Sequence, residues 1–223
     1  MRKMLPAFLG TAAVLAFSLW ALPQLPDQVA THWGLDGQPD GWSSALFGAL
    51  LLPGMMLVMS VVMAALPAID PLKKNYAFHG SVYFLLANVV VLFMGMIHLL
   101  VLGTALGWPV NMRAVLPVLI GALFVFIGRL LPRMQPNWFM GIRTPWTLSS
   151  EQVWRKTHQV GATCFTIAGV VIMLIGLLAP GAPATKFMLG AILLGVCWPV
   201  VYSYVEWRRE KEAGGTGRNP SAP

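Results

Sequence analysis

The sequence predicts an all-α integral membrane protein, a bundle of about six transmembrane helices with both termini in the cytoplasm. Of its 223 residues, 57% are hydrophobic and only 10% are charged, whereas about a quarter of the residues of a soluble domain are charged. Apolar runs long enough to cross a bilayer recur along the whole chain. The net charge of +7 is the excess of cytoplasmic lysine and arginine expected of a membrane protein, so no nucleic-acid partner is expected.

The first span is predicted over residues 5–22, near the lower end of the usual length of about 17–25 residues. Arg2 and Lys3 precede this apolar run, a combination that also begins secretory signals. No small-x-small cleavage site follows, and further apolar runs come after it. We therefore expect an uncleaved helix whose N-terminus is cytoplasmic.

Residues 23–44 form a polar loop with three acidic residues and no lysine or arginine, which places it outside the membrane. His32, Asp36 and Asp40 combine an imidazole with two carboxylates, a set that can bind a metal. Asp-Gly and Pro-Asp-Gly are also ordinary turn formers. A metal-free outer cap, packed by Trp33 and Trp42, is the preferred interpretation.

The remaining apolar runs complete the predicted organisation. Spans are predicted over 45–66, 78–102, 115–131, 160–178 and 187–205. With this topology every lysine and arginine except Arg113 and Lys186 lies on the cytoplasmic side. The chain then divides into an N-terminal pair of spans (1–66), a second pair (67–132), a cytoplasmic loop with the last pair (133–207), and a disordered cytoplasmic tail (208–223).

Polar residues inside predicted spans are few. Asn88 and His98 lie in the third span, either as an interhelical hydrogen bond worth about 1 kcal/mol or less or as part of a functional polar pocket. No aspartate or glutamate lies in the middle of a predicted span, which argues against a proton-coupled pump. Cys164 and Cys197 lie in spans and are interpreted as structural thiols rather than a disulfide.

The most patterned stretch is residues 137–158, here called the signature segment. Gly141 permits a positive φ, and Pro145 keeps Thr144 out of a helix, so residues 137–146 are predicted to form an ordered loop. Ser149 and Gln152 have the spacing of a capping box, which predicts that a helix starts near Ser150.

On that helix two pairs are spaced four residues apart, Glu151 with Arg155 and Trp154 with His158, and each pair shares one face. Ser149, Ser150 and His158 also invite comparison with nucleophilic catalysis. The serines have a simpler use as helix caps, and the chain has neither a Walker A pattern nor a His-Glu-x-x-His pattern. No enzyme activity, cofactor or metal is therefore expected.

Tryptophans and basic residues in this segment have ordinary roles as interfacial anchors and topology charges. Trp146 and Arg155 fit those roles, but the placement of glycine, proline and threonine does not follow from them. Arg143 is the candidate for a specific contact with a lipid phosphate or a partner carboxylate, because its planar guanidinium binds either group with two parallel hydrogen bonds.

The segment resembles the signature of the SdpI family of bacterial membrane proteins. The matching residues are Asn137, Gly141-Ile142-Arg143-Thr144-Pro145-Trp146-Thr147-Leu148-Ser149, Glu151 and Trp154-Arg155-Lys156-Thr157-His158. Residues 25–29, 31–34 and 36–42 resemble a short N-terminal domain of unknown function that often accompanies this family. The two resemblances occur in the expected order.

The resemblance implies a bacterial inner-membrane protein that gives immunity to a secreted peptide toxin. It also implies, as a second role, a sensor that engages a cytoplasmic regulatory protein. The expected partners are therefore membrane lipids, a peptide toxin outside and a regulatory protein inside. The alternative from a different class is a transporter of small solutes or of lipid-related compounds.

Overall fold

A computed structural model of the protein describes residues 2–34, 38–178 and 182–215. Its helices are α1 (Leu5–Ala21), α2 (Ala45–Ile69), α3 (Asn75–Ala105), α4 (Met112–Leu130), α5 (Pro145–Ser149), α6 (Glu151–Leu178) and α7 (Ala182–Gly215). Within the described ranges, six helices are long and apolar enough to cross a membrane. The predicted helical membrane bundle is confirmed, and a short extra helix, α5, precedes the fifth span.

The first three long helices pack against one another around a core that contains Ala7 of α1, Met56 of α2 and Val91 of α3. Asn88 ties the start of α1 to α3, because its side chain accepts from the Ala7 amide at 2.9 Å and donates to the Lys3 carbonyl at 2.8 Å. Nearer the opposite end of the same interface, His98 Nε2 lies 2.7 Å from Ser18 Oγ. Both intramembrane polar residues thus form interhelical hydrogen bonds.

The other group comprises α4, α6 and α7, and its tightest contact is between backbones. A Cβ added to Gly121 of α4 would lie 2.5 Å from the Gly169 carbonyl oxygen of α6, and the reciprocal distance is also 2.5 Å. About two helical turns further along α4, a Cβ on Gly128 would lie 2.9 Å from the Ala162 carbonyl oxygen. Small residues allow membrane helices to approach this closely and to gain dispersion contacts.

A β-hairpin joins α1 to α2, with strands β1 (Gln28–Trp33) and β2 (Pro39–Ser44) in antiparallel register. Val29 is buried and packs with Val101 and Leu102 at the end of α3, so the hairpin rests on the helix bundle. The folded cap expected from the sequence is therefore a two-stranded sheet. Trp33 packs against this core, but Trp42 is 48% exposed, so the prediction that Trp42 packs the cap is wrong.

The predicted disorder of residues 208–223 is wrong for 208–215, because α7 continues to Gly215. Arg208 and Glu212, four residues apart, form an ion pair at 3.1 Å that favours the helix. Glu206, Glu210 and Lys211 belong to the same helical stretch. Residues 216–223 lie outside the described part of the chain.

Replacement of Gly169 by leucine is expected to destabilise the protein, because the new side chain has no space between the α4 and α6 backbones. Overpacking costs typically about 1–3 kcal/mol, so we expect a lower melting temperature of the purified protein in detergent. Gly190→Leu in α7 is the matched control, since a Cβ there meets nothing within 4 Å. Equal melting temperatures for the two variants would contradict the close packing of α4 and α6.

Candidate functional site

The signature segment lies at the end of the bundle opposite the hairpin, since three spans separate the two. We call these the signature end and the hairpin end. The signature segment begins as a loop after α4, forms α5 and then enters α6. Its fully buried anchor is Trp154, whose indole Nε1 donates to the Met134 carbonyl at 2.9 Å.

His158 connects the loop to helix α6. Its ring stacks on Trp154 with a centroid distance of 4.1 Å, and its Nδ1 lies 2.8 Å from the Trp154 carbonyl oxygen. The Ile142 amide donates to Nε2 at 3.1 Å. Because Nε2 accepts a backbone proton, the ring proton belongs on Nδ1, where it is donated to the carbonyl. Both nitrogens of His158 are therefore used in holding the loop, so this imidazole is not free to act as a base.

Gly141 is required at its position for two reasons. Its φ is +100°, in the region that favours glycine. A Cβ there would also lie 2.5 Å from His158 Nε2. The positive φ predicted from the sequence is confirmed, and the structure adds the close approach to the imidazole.

Two threonines form the turn into α5. Thr144 Oγ1 accepts from the Thr147 amide at 3.1 Å, and Thr147 Oγ1 accepts from the Thr144 amide at 2.9 Å, a reciprocal capping box. Pro145 is the first residue of α5, where its missing N–H costs nothing. Thr144 Oγ1 also lies 3.0 Å from Ser203 Oγ, which joins the turn to α7.

The predicted capping box of Ser149 and Gln152 is wrong. Ser149 is the last residue of α5, and its hydroxyl donates to the Trp146 carbonyl at 3.0 Å. Ser150 occupies the cap position of α6 instead, because its Oγ accepts from the Val153 amide at 3.3 Å. Ser149, which the sequence pattern assigned to the start of the longer helix, instead ends the short helix α5.

Asn137 folds the first turn of the segment. Its side-chain oxygen accepts from the amides of Phe139 and Met140 at 3.0 and 2.7 Å. Its side-chain nitrogen donates to the carbonyls of Gln135 and Met140, both at 3.0 Å. The side chain thus replaces backbone partners within this turn.

Asp70, just after α2, is a site residue that the sequence reasoning missed. It is only 2% exposed, and it accepts from the Leu72 amide at 2.7 Å, the Tyr76 hydroxyl at 2.7 Å and the Trp138 amide at 3.0 Å. Burial, followed by the hydrogen bond to Asp70 and that carboxylate's charge, raises the pKa of Tyr76 above its ordinary value. Tyr76 therefore remains a hydrogen-bond donor. In the sequence, the indication available was that Asp70 is an acidic residue in a connection between two spans that otherwise carries lysines, Lys73 and Lys74.

A second missed residue is Glu206 of α7, which is 4% exposed although the sequence places it just beyond the last predicted span. Its carboxylate forms an ion pair with Lys156 of α6 and lies 4.0 Å from Arg209. One turn further along α7, Glu210 accepts from the Ser150 hydroxyl at 2.9 Å. Charged and polar pairs thus join α6 and α7 at the signature end.

Arg143 lies on the surface of this ordered segment. Its Nη1 donates to the Trp138 carbonyl at 2.5 Å, and none of the ion pairs among the described residues includes it. The guanidinium is therefore oriented by one backbone contact while its remaining donors face solvent. Arg155, by contrast, lies 3.9 Å from the Glu151 carboxylate on α6.

Trp146 of the signature segment borders a surface cavity. Trp146 packs against Tyr204 of α7 with a centroid distance of 5.0 Å and the ring planes tilted by 56°. A cavity of about 590 Å³ lies beside it, lined by Pro145, Trp146, Ser149, Ser150, Trp207, Glu210 and Lys211. This end of the protein therefore offers aromatic surface next to both signs of charge.

At the hairpin end the structure brings together two of the three residues considered for a metal. His32 Nδ1 lies 2.5 Å from Asp40 Oδ1, and both side chains are largely exposed. Asp36 lies outside the described residues. Within the part of the chain that is described, no three His, Cys, Asp or Glu side chains are close enough to hold a metal.

Comparison with known proteins finds similarity in two regions of the chain and over most of its length. Residues 133–203 match the SdpI/YfhL protein family, and residues 9–57 match a domain of unknown function, DUF1648. The immunity protein SdpI of Bacillus subtilis (strain 168) is 23% identical over 185 residues, which are 83% of this chain and 86% of that protein. No solved structure matches. The family resemblance predicted from the sequence is confirmed.

Replacement of Gly141 by alanine is expected to destabilise the protein through both backbone strain and contact with His158. Gly107→Ala is the matched control, because Gly107 also has a positive φ, +83°, but a Cβ there meets nothing within 4 Å. The left-handed conformation costs roughly 1–2 kcal/mol in either variant. We expect Gly141→Ala to lower the melting temperature further than Gly107→Ala, and equal losses would contradict the role of His158.

Proposed function

We propose that this multi-pass bacterial membrane protein, whose residues 133–203 match the SdpI/YfhL family, protects its host against a secreted peptide toxin. The observation that carries the proposal is the similarity to the Bacillus subtilis immunity protein over 83% of this chain. That similarity is long enough to extend beyond the signature segment. The ordered geometry of the signature segment supports the interpretation that the similarity between the two proteins reflects a common function and not only a shared apolar composition.

The proposed orientation places the hairpin outside a bacterial inner membrane and both termini in the cytoplasm. The charge distribution supports it, since residues 23–44 contain no lysine or arginine, while Lys73, Lys74, Arg133 and Arg143 lie at the signature end. In this orientation the hairpin is the first folded surface that a toxin meets.

A cytoplasmic regulatory protein is the proposed partner of the signature end. The supporting observation is the exposed guanidinium of Arg143, which is oriented by the Trp138 carbonyl and unpaired with any described carboxylate. Helix α3 gives a physical connection between the two ends. It supports Val29 of the hairpin near Leu102, and at its other end Asn75 donates to the Pro136 carbonyl at 2.7 Å.

No observation favours the alternative of a transporter. In the described residues, the two buried carboxylates, Asp70 and Glu206, both lie at the signature end and not midway through a span. Both are also committed to structural partners. An ion-coupled carrier would instead use polar groups near the middle of the membrane.

The orientation can be tested by labelling single cysteines in a background from which Cys164 and Cys197 have been removed. Ser44 and Ser149 are both exposed, one at each end of the bundle. We expect an impermeant thiol reagent applied to intact cells to label Ser44→Cys but not Ser149→Cys. Labelling of Ser149→Cys before the cells are opened would contradict the orientation.

The function can be tested with Arg143→Lys in a Bacillus subtilis strain that lacks its own SdpI. This strain is challenged with the culture supernatant of a strain that secretes the toxin. We expect the wild-type protein to restore survival. We expect Arg143→Lys to reach normal membrane abundance and to lose at least tenfold of the protection, because lysine offers a point charge in place of a planar fork.

Arg155→Lys is the matched control, because Arg155 is equally basic and exposed but pairs with Glu151 on its own helix. We expect this variant to protect nearly as well as the wild type. Failure of the wild-type protein to restore survival would contradict the proposed function. Full protection by Arg143→Lys at equal abundance would reduce Arg143 to a topology charge.

A further inference from the structure

We infer that the cavity beneath the hairpin binds the carboxylate of an apolar peptide through Arg113. The cavity has a volume of about 760 Å³ and lies between the hairpin and the connection from α3 to α4. It is separate from the signature segment, and its lining residues include Val29, Trp33, Trp42, Val110 and Arg113. The inference rests on the proposed function, for which it names the toxin-binding surface.

The charge of Arg113 favours an anionic ligand. Arg113 is the only charged residue among the described residues that line this cavity. It is half-buried, and it takes part in none of the ion pairs between described residues. A partly buried cation attracts an anion more strongly than a fully hydrated one, because the effective dielectric constant is lower. A guanidinium prefers carboxylate or phosphate, which it binds with two parallel hydrogen bonds.

The position of Arg113 strengthens this preference. Helix α4 begins at Met112, and Asn111, at its N-cap position, makes no side-chain capping bond. The positive end of the helix dipole therefore lies on the same wall of the cavity as the guanidinium. Asn111 is exposed and also lines the cavity, so its side-chain amide is placed to take part in binding a polar group.

The residues that line the rest of the cavity indicate which kind of ligand bears the anionic group. Trp33, Trp42, Val110 and Ala105 present apolar surface around the single cation. This composition suits an apolar peptide with one carboxylate better than a hydrated inorganic ion, which gains nothing from such walls.

The hairpin itself favours a peptide over a lipid headgroup. Three consecutive residues of β1, Gln28, Val29 and Ala30, border the cavity, so the backbone of this strand runs along it. In a two-stranded sheet each strand has one edge without a partner strand, and such an edge can pair with an added strand. A peptide has backbone amides and carbonyls for such an edge and a carboxylate for Arg113, whereas a phospholipid has no backbone amides.

The test uses the full-length protein in phosphatidylcholine nanodiscs. The probes are an acetylated apolar hexapeptide with a free C-terminal carboxylate and the same peptide with a C-terminal amide. We expect the wild-type protein to bind the carboxylate form about tenfold more tightly, the effect of one charge-assisted hydrogen-bonding contact. In Arg113→Gln this preference should disappear, while binding of the amide form should change little.

Lys186→Gln is the matched control, since Lys186 is the other basic residue assigned to the outer side and does not line this cavity. It should keep the tenfold preference. Equal binding of the two peptides to the wild type, or a preference retained by Arg113→Gln, would overturn the inference. In nanodiscs that also contain anionic phosphatidylglycerol, the finding that Arg113→Gln alters only the retention of this lipid would overturn it too, because the cavity would then be a headgroup site.

A survival assay separates this inference from the proposed function. If the wild type protects cells and Arg113→Gln protects them equally at equal abundance, the cavity is not the toxin site and only this inference fails. If the wild type does not protect but keeps its carboxylate preference, the proposed function fails while the peptide site stands. Loss of protection in Arg113→Gln, with Lys186→Gln unaffected, supports both.

Discussion

The hydrogen bond from the Ile142 amide to His158 is the contact on which the signature segment depends. It holds a loop against a helix through one imidazole, and the ring is itself oriented by the Trp154 carbonyl and by stacking on the indole. The indole is in turn tied to the chain that leaves α4, through the Met134 carbonyl. Gly141 is demanded by this arrangement, because any side chain there would meet the imidazole. These contacts also fix the backbone position of Arg143, which follows Gly141 by two residues.

A buried carboxylate joins this segment to the other half of the molecule. Asp70 lies after α2, yet it accepts from the Trp138 amide in the signature segment. It is satisfied by neutral donors, including Tyr76, so removal of any one would leave a buried acceptor short of a partner. Asn75 reaches the same segment through the Pro136 carbonyl. The two helix groups thus meet at the signature end through polar contacts made by the ends of α2 and α3.

Much of the fold could be predicted from the sequence because hydropathy, glycine and proline act locally. The spans, the positive φ of Gly141 and the ordered loop before Pro145 are of this kind. The hairpin strands, by contrast, are short, and their stability comes from Val29 packing on α3, a contact far away in sequence. Asp70 and Glu206 were missed for the same reason. Each looks like an ordinary solvated charge until its distant partners, Trp138 and Lys156, are known.

The packing of the two helix groups restricts how an event at the hairpin end can be felt at the signature end. Helices α4 and α6 touch through glycine backbones at Gly121 and Gly169, so neither can slide without a steric clash. In the other group, Asn88 bonds α1 to α3, which resists separation of these helices. The two groups are joined by an apolar cluster around Leu86 of α3 and by the polar contacts of Asp70 at the signature end. A ligand under the hairpin would bear on α3 and α4 together, one helix from each group, and so on the relative position of the groups.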